Sequence, residues 1–169
     1  MIAIADEFRR EGEAPTPPPF YLAALDLRGR DVLVVGGGVV ATRRLTALLD
    51  ANAMVTVVAP AATERIEQAA QDGRIAFHGR PYADGDVEGR WYVLALTNDP
   101  AVNATVAAAC ERQHVFCVRG DDATGGSART PASGAVGGLR VGVVGERDPR
   151  RSAAARDVAL EALRAWSDL

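Results

Sequence analysis

Val32-Leu33-Val34-Val35-Gly36-Gly37-Gly38-Val39-Val40-Ala41 decides the fold. An apolar run of β-branched and leucine residues leads into three glycines, and Ala41-Thr42-Arg43-Arg44-Leu45-Thr46-Ala47-Leu48-Leu49 leads out as a helix-like segment. In the pattern G-x-G-x-x-A, the first glycine permits a tight turn. The second lets a pyrophosphate approach the backbone, and the alanine lets the helix pack close to the strand. The free N–H groups at such a helix start suit a dianionic phosphate bridge. A glycine triplet alone is a weak signal, because a structural turn uses the same residues. The strand before it and the helix after it tip the reading to a dinucleotide site at Gly36, Gly37 and Gly38.

The segments further along repeat the alternation. Strand patterns at 31–35, 55–59, 75–77, 91–95 and 115–118 are separated by helical patterns at 39–51, 62–72 and 101–113, with a polar loop at Asp84-Gly85-Asp86. Gly73 stands where a left-handed helix end is wanted, and Pro100 suits a first helical turn. Strand–helix alternation predicts an α/β fold, a Rossmann-like doubly wound parallel sheet. The rhythm stops after Arg119. Residues 121–138 are rich in Gly, Ser, Ala and Thr, 139–144 alternates as a strand, and 151–166 is an amphipathic helix. The expected organisation is a Pro-rich disordered tail at 1–19, an NAD-binding domain at 20–129, and a small dimerisation or substrate-contact appendage at 130–169.

Composition sets bounds. The 169 residues carry a net charge of −3 and are 48% hydrophobic, enough to bury a core and contrary to generic nucleic-acid binding. No run approaches a membrane span, and residues 1–10 lack the apolar stretch of a signal peptide, so a cytoplasmic protein is expected. Cys110 and Cys117 have no metal-ligand spacing and read as free thiols, and no metal site is expected. Nothing resembles a Ser-His-Asp arrangement, a zinc cluster or a Walker loop, and His78 and His114 read as surface residues.

Chemistry is expected at the carboxyl ends of the strands, where ligands of open α/β sheets bind. The second strand ends in Val57-Val58-Ala59-Pro60-Ala61, with neither an acid for a ribose 2′-OH nor an arginine for a 2′-phosphate. NAD is favoured because nothing cationic waits there. Thr97 and Asn98 end the fourth strand and are expected near the cofactor. Asn98 or Asp99 capping the next helix explains the same residues. Asp121 and Asp122 follow the fifth strand; a carboxylate there serves as a general base if burial raises its pKa, and a solvated Asp-Asp turn is the alternative. Arg140, Arg147, Arg150, Arg151 and Arg156 crowd the last thirty residues, either as a solvated helix face or as a polyanion site.

Four stretches together resemble a known family. Residues 31–44, the 55–60 strand, Trp91-Tyr92-Val93-Leu94-Ala95-Leu96-Thr97-Asn98-Asp99 with Asn103, and Phe116-Cys117-Val118-Arg119-Gly120-Asp121 are similar to the siroheme synthase N-terminal domain, a precorrin-2 dehydrogenase and, in some members, a sirohydrochlorin ferrochelatase. The resemblance spans about residues 20–165. It implies a homodimer that oxidises precorrin-2 to sirohydrochlorin with NAD. Val39 and Val40 would touch the phosphates, Pro60 and Ala61 the adenosine ribose, and Asp121 would be the acid–base residue. Ferrous iron is a further substrate if chelatase activity is present. Precorrin-2 carries many carboxylates, which makes Arg119, Arg147, Arg150 and Arg151 its candidate contacts. The chain departs from the family in two places: many members have Asn-Val-Val where it has Val118-Arg119-Gly120, and a serine-rich turn is replaced by Val144-Gly145-Glu146-Arg147. These departures favour dehydrogenase over chelatase activity. They also keep open an NAD-binding sensor without chemistry, or half of a split enzyme completed by a partner chain.

Overall fold

The computed structural model describes residues 21–145 and 148–167. The expectation for residues 1–19 and the candidate Arg147 lie outside the described residues. The chain runs β1 (Asp31–Val35), α1 (Val39–Asp50), β2 (Met54–Val58), α2 (Glu64–Gln71), β3 (Ala76–His78), β4 (Tyr92–Ala95), α3 (Pro100–Arg112) and β5 (Phe116–Arg119). A hairpin of β6 (Ala132–Val136) and β7 (Leu139–Val143) follows, then α4 (Pro149–Ser167). The polar loop at 84–86 forms one short 3₁₀ turn, Asp84–Val87.

β1 to β5 form one parallel sheet in the order β3-β2-β1-β4-β5. The strand order reverses between β1 and β4, which opens a crevice above their carboxyl ends. Alternate side chains face opposite layers. Val32 and Val34 pack with Leu45, Leu48 and Ile66 of α1 and α2. Leu33 and Val35 pack on the other side with Val87, Val106 and Ala109. Both faces of β1 are therefore covered, so its sequence reads as an unbroken apolar run rather than an alternation. Each such valine or leucine, fully buried, stabilises by about 1.5–3 kcal/mol relative to exposure. Cys110 and Cys117 are free and buried in the same layer. The neighbouring Cys117 sulfur and burial push the Cys110 thiol well up, so it stays protonated.

Past β5 the chain doubles back on the open sheet edge. Ser127 Oγ accepts from Cys117 N–H at 3.0 Å, and Ala128 N–H donates to the Cys117 carbonyl at 3.0 Å. This return covers what would otherwise be an unpaired strand. β6 was not expected from the sequence, because its Ala-Ser-Gly-Ala run has low strand propensity. Its signal was Gly137-Gly138, whose φ values of 55° and 79° make the two-residue turn that joins antiparallel strands. α4 packs on this hairpin: a Cβ on Gly134 would stand 2.5 Å from Leu160 Cδ1. Asp148 Oδ1 accepts from Arg150 and Arg151 N–H at 2.9 and 3.0 Å and so caps α4. Among the described residues no helix is long and apolar enough to cross a membrane.

Candidate active site

The crevice holds a cavity of about 560 Å³ whose wall includes Gly36, Gly37, Gly38, Pro60, Ala61, Thr97 and Asn98. Seven sequence candidates from three strand ends thus come together. Two of the glycines are obligatory. Gly36 has φ of 118°, and a Cβ there would stand 2.6 Å from the Leu96 carbonyl oxygen. A Cβ on Gly37 would overlap the Ala61 carbonyl oxygen. The β1–α1 turn is therefore pressed between the ends of β2 and β4, and no side chain fits. Gly38 differs, since a Cβ there meets nothing within 4 Å. It opens on free space at the start of α1.

That start has no side-chain cap and no acid in its first turn. Its orphan N–H groups and the positive end of the helix dipole face the crevice uncompensated. Open room above Gly38, bare amides and a neutral β2 end fit the pyrophosphate and ribose of a dinucleotide. Val39 and Val40, which begin α1, are 78% and 44% exposed and are not part of the cavity wall. Thr42 Oγ1 and Thr63 Oγ1 lie 2.7 Å apart and tie α1 to the segment after β2.

At the end of β4, Asp99 is the cap of α3, accepting from Ala101 N–H at 2.8 Å. Asn98 is left to face the cavity. Thr97 is engaged by Asn103, a wholly buried amide on α3. Asn103 Oδ1 accepts from Thr97 N–H at 3.0 Å, and Asn103 Nδ2 donates to the Thr97 carbonyl at 3.1 Å. Its second amide proton goes to Asp121 Oδ1 at 2.9 Å. One side chain thus joins the cofactor cavity to the proposed base. In the sequence Asn103 stands only as part of the fourth-strand stretch, and no local pattern marks this role. Polar burial at 0% exposure in mid-helix is a tertiary property.

Asp121 is also paired with Arg119, whose Nη2 lies 2.6 Å from Oδ2 and Nε 3.2 Å from Oδ1. The Arg119 guanidinium first, then the Asp121 backbone N–H and the Asn103 amide, hold the Asp121 carboxyl below the usual carboxylate range. The sequence reading made Asp121 a general base if burial raises this pKa. The charge-assisted pair outweighs desolvation of a side chain that is 23% exposed, so the direction is reversed. The turn alternative describes its neighbour: Asp122 Oδ1 accepts from Thr124 N–H at 2.8 Å, which closes the turn.

The arginines separate. Arg119 lines a second cavity of about 440 Å³ between α3 and residues 124–127. Arg150 and Arg151 are exposed at the start of α4 and line neither cavity. Arg140 is exposed on β7, and Arg156 pairs with its neighbour Asp157 at 2.7 Å. α4 packs on the hairpin, not over the sheet, and that docking keeps these residues from the crevice of their own chain.

Comparison with known proteins agrees with this geometry. Residues 23–132 match the family described as "Putative NAD(P)-binding". Siroheme synthase 1 of Yersinia enterocolitica is 42% identical over 97 residues, 57% of this chain and 21% of that protein. Precorrin-2 dehydrogenase of Priestia megaterium is 38% identical over 95 residues, 56% of this chain and 45% of that protein. The matched stretch therefore spans less than half the length of either relative. The solved structure of SirC, a precorrin-2 dehydrogenase, superposes with a TM-score of 0.71 at 28% identity, covering 83% of this chain and 69% of that one.

Proposed function

The chain belongs to the NAD(P)-binding family of siroheme synthase N-terminal domains, and from that premise we propose that it oxidises precorrin-2 to sirohydrochlorin with NAD, using Asp121 as the base. The observation that carries this reading is the Asn103 bridge, which ties Asp121 to Thr97 in the wall of the glycine-lined cavity. NAD is preferred to NADP because the described cavity wall contains neither arginine nor lysine for a 2′-phosphate.

NAD, when bound, supplies the hydride acceptor. The residues of the chain do the rest. The amides at the start of α1 orient the pyrophosphate, and the neutral segment after β2 takes the ribose. Asp121 receives the proton that precorrin-2 releases as it gives up a hydride; the products are sirohydrochlorin, NADH and one proton. Asn103 keeps the carboxylate aimed while the charge changes. Residues 130–169 are proposed to join two copies of the chain, since Leu139, Val158 and Trp166 are 47%, 67% and 67% exposed on the hairpin and α4. In a dimer the arginines of α4 are available to the crevice of the other copy.

The test is anaerobic turnover with precorrin-2 and NAD, followed by addition of ferrous iron. Precorrin-2-dependent NADH is expected. Asp121→Ala is expected to cut the rate by about 10³-fold while NAD still binds. Unchanged turnover in that variant removes Asp121 as the base. NAD binding without any NADH favours the sensor reading, which draws support from the Arg119 ion pair occupying the carboxylate. Siroheme appearing on addition of iron adds chelatase activity to the proposal.

A further inference from the structure

We propose that Arg119 is a carboxylate-exchanging latch: in the resting protein it occupies Asp121, and a carboxylate of the incoming substrate takes over the guanidinium and sets the base free. This deepens the function proposed above and rests on it, since it takes Asp121 as base and a polycarboxylate as substrate.

The geometry is that of an exchangeable pair. Arg119 grips Asp121 through Nε and Nη2 only. Its other terminal nitrogen, Nη1, lies 3.8 Å from Asp122 Oδ2, beyond hydrogen-bond reach. The residue also lines the second cavity, beside Thr124 and Gly125. A guanidinium has five N–H donors, so a second carboxylate can engage the Nη1 end, which is held only by the longer Asp122 ion pair, before the first lets go. The backbone around it is cleared of side chains. A Cβ on Gly125 would stand 2.6 Å from Arg119 Nη1, and one on Gly120 would stand 2.8 Å from Leu96 Cδ2.

The two groups that hold Asp121 differ in kind. Asn103 is wholly buried and fixed by four bonds to Thr97 and Asp121. It stays in place whether or not Arg119 is engaged. Arg119 is 13% exposed and open to the cavity. The other ionisable groups facing the pair are Asp122 from the loop after β5, Glu111 from α3 across the cavity, and Cys117 from β5. At rest Asp121 is a poor base because its carboxyl is held low. Loss of the guanidinium to a substrate carboxylate removes the largest cause of that depression. The base thus becomes competent only when substrate is present.

The experiment uses the full chain and uroporphyrin, a stable tetrapyrrole rich in carboxylates. The ¹³Cγ signal of Asp121 is followed through a pH titration with and without saturating uroporphyrin. In the wild type, uroporphyrin is expected to move the Asp121 midpoint upward. In R119Q the midpoint is expected in the ordinary carboxylate range in both conditions, with uroporphyrin Kd raised about tenfold. R119K keeps the charge without the fork and is expected between the two. Retained NAD binding shows that each variant is folded. With precorrin-2, R119Q is expected to raise KM and to move the acidic limb of kcat/KM to higher pH. An Asp121 midpoint that uroporphyrin leaves in place, or an R119Q protein that binds uroporphyrin as tightly as wild type, overturns the latch. Both readouts are independent of turnover, so failure of the wild type to oxidise precorrin-2 refutes the proposed function separately.

Discussion

The glycine-lined half of the crevice and the half around Asp121 are held by different forces. The first is steric: Gly36 and Gly37 are wedged against the carbonyls of Leu96 and Ala61, and apolar layers on both faces fix the strands beneath. The second is electrostatic: an ion pair, one buried amide and an Asp122 turn hold the end of β5. A steric wall has no titration and no alternative partner. A charged pair has both. The half proposed for the cofactor is thus held by fixed contacts, and the half proposed for the substrate by exchangeable ones.

The comparison breaks most readily at Gly37. Gly37→Val puts branched carbon atoms into the space of the Ala61 carbonyl. It is expected to cost about 3 kcal/mol or more of stability and to abolish NAD binding, read by chemical unfolding and calorimetric titration. If Gly37→Val binds NAD normally, the steric account of that half is wrong. A smaller effect is expected at Asn103. Asn103→Leu leaves the N–H and carbonyl of Thr97 without their partner and is expected to cost about 1–3 kcal/mol. It is also expected to move the Asp121 midpoint upward, since one of its two side-chain partners is gone.

The smallest effect is the dependence of stability on pH. Asp121 and Asp86 both sit below their unfolded pKa, held there by Arg119 and Arg80. A carboxylate of that kind contributes stability that is fully present above its unfolded value of about 3.9. That contribution is lost as pH falls from there through the folded value. The urea midpoint is therefore expected to owe no slope to these groups between neutral pH and about pH 5, and to fall below about pH 4. The fall is expected to be shallower in R119Q. An equal slope in both proteins shows that the Asp121 pair contributes nothing to stability.

The same division explains what could be read from the chain. β1, the glycine turn and α1 were legible because burial on both faces and a forbidden Cβ leave apolar runs and glycines in the sequence. Pro60, Ala61, Thr97 and Asn98 followed from topology, since strand ends converge wherever the sheet order reverses. The Asp121 half was named, with the direction of its pKa left to depend on burial. Whether burial or a neighbouring charge sets a carboxylate's pKa depends on where Arg119 points. Asn103 acts across 18 residues on a separate element, which no local period encodes. The tail arginines looked like one cluster along the chain, and the hairpin that carries α4 away from the crevice was hidden in a run of small residues.

The Asn103 bridge also imposes reciprocity. Thr97 lines the glycine-walled cavity and Asp121 is the proposed proton acceptor, and a single amide is bonded to both. Any shift in Asp121 acidity produced by NAD must be matched, factor for factor, by a shift in NAD affinity when Asp121 is protonated. The coupling free energy between cofactor and proton is therefore one quantity that two unrelated measurements report. A chain of hydrogen bonds three residues long is its physical carrier.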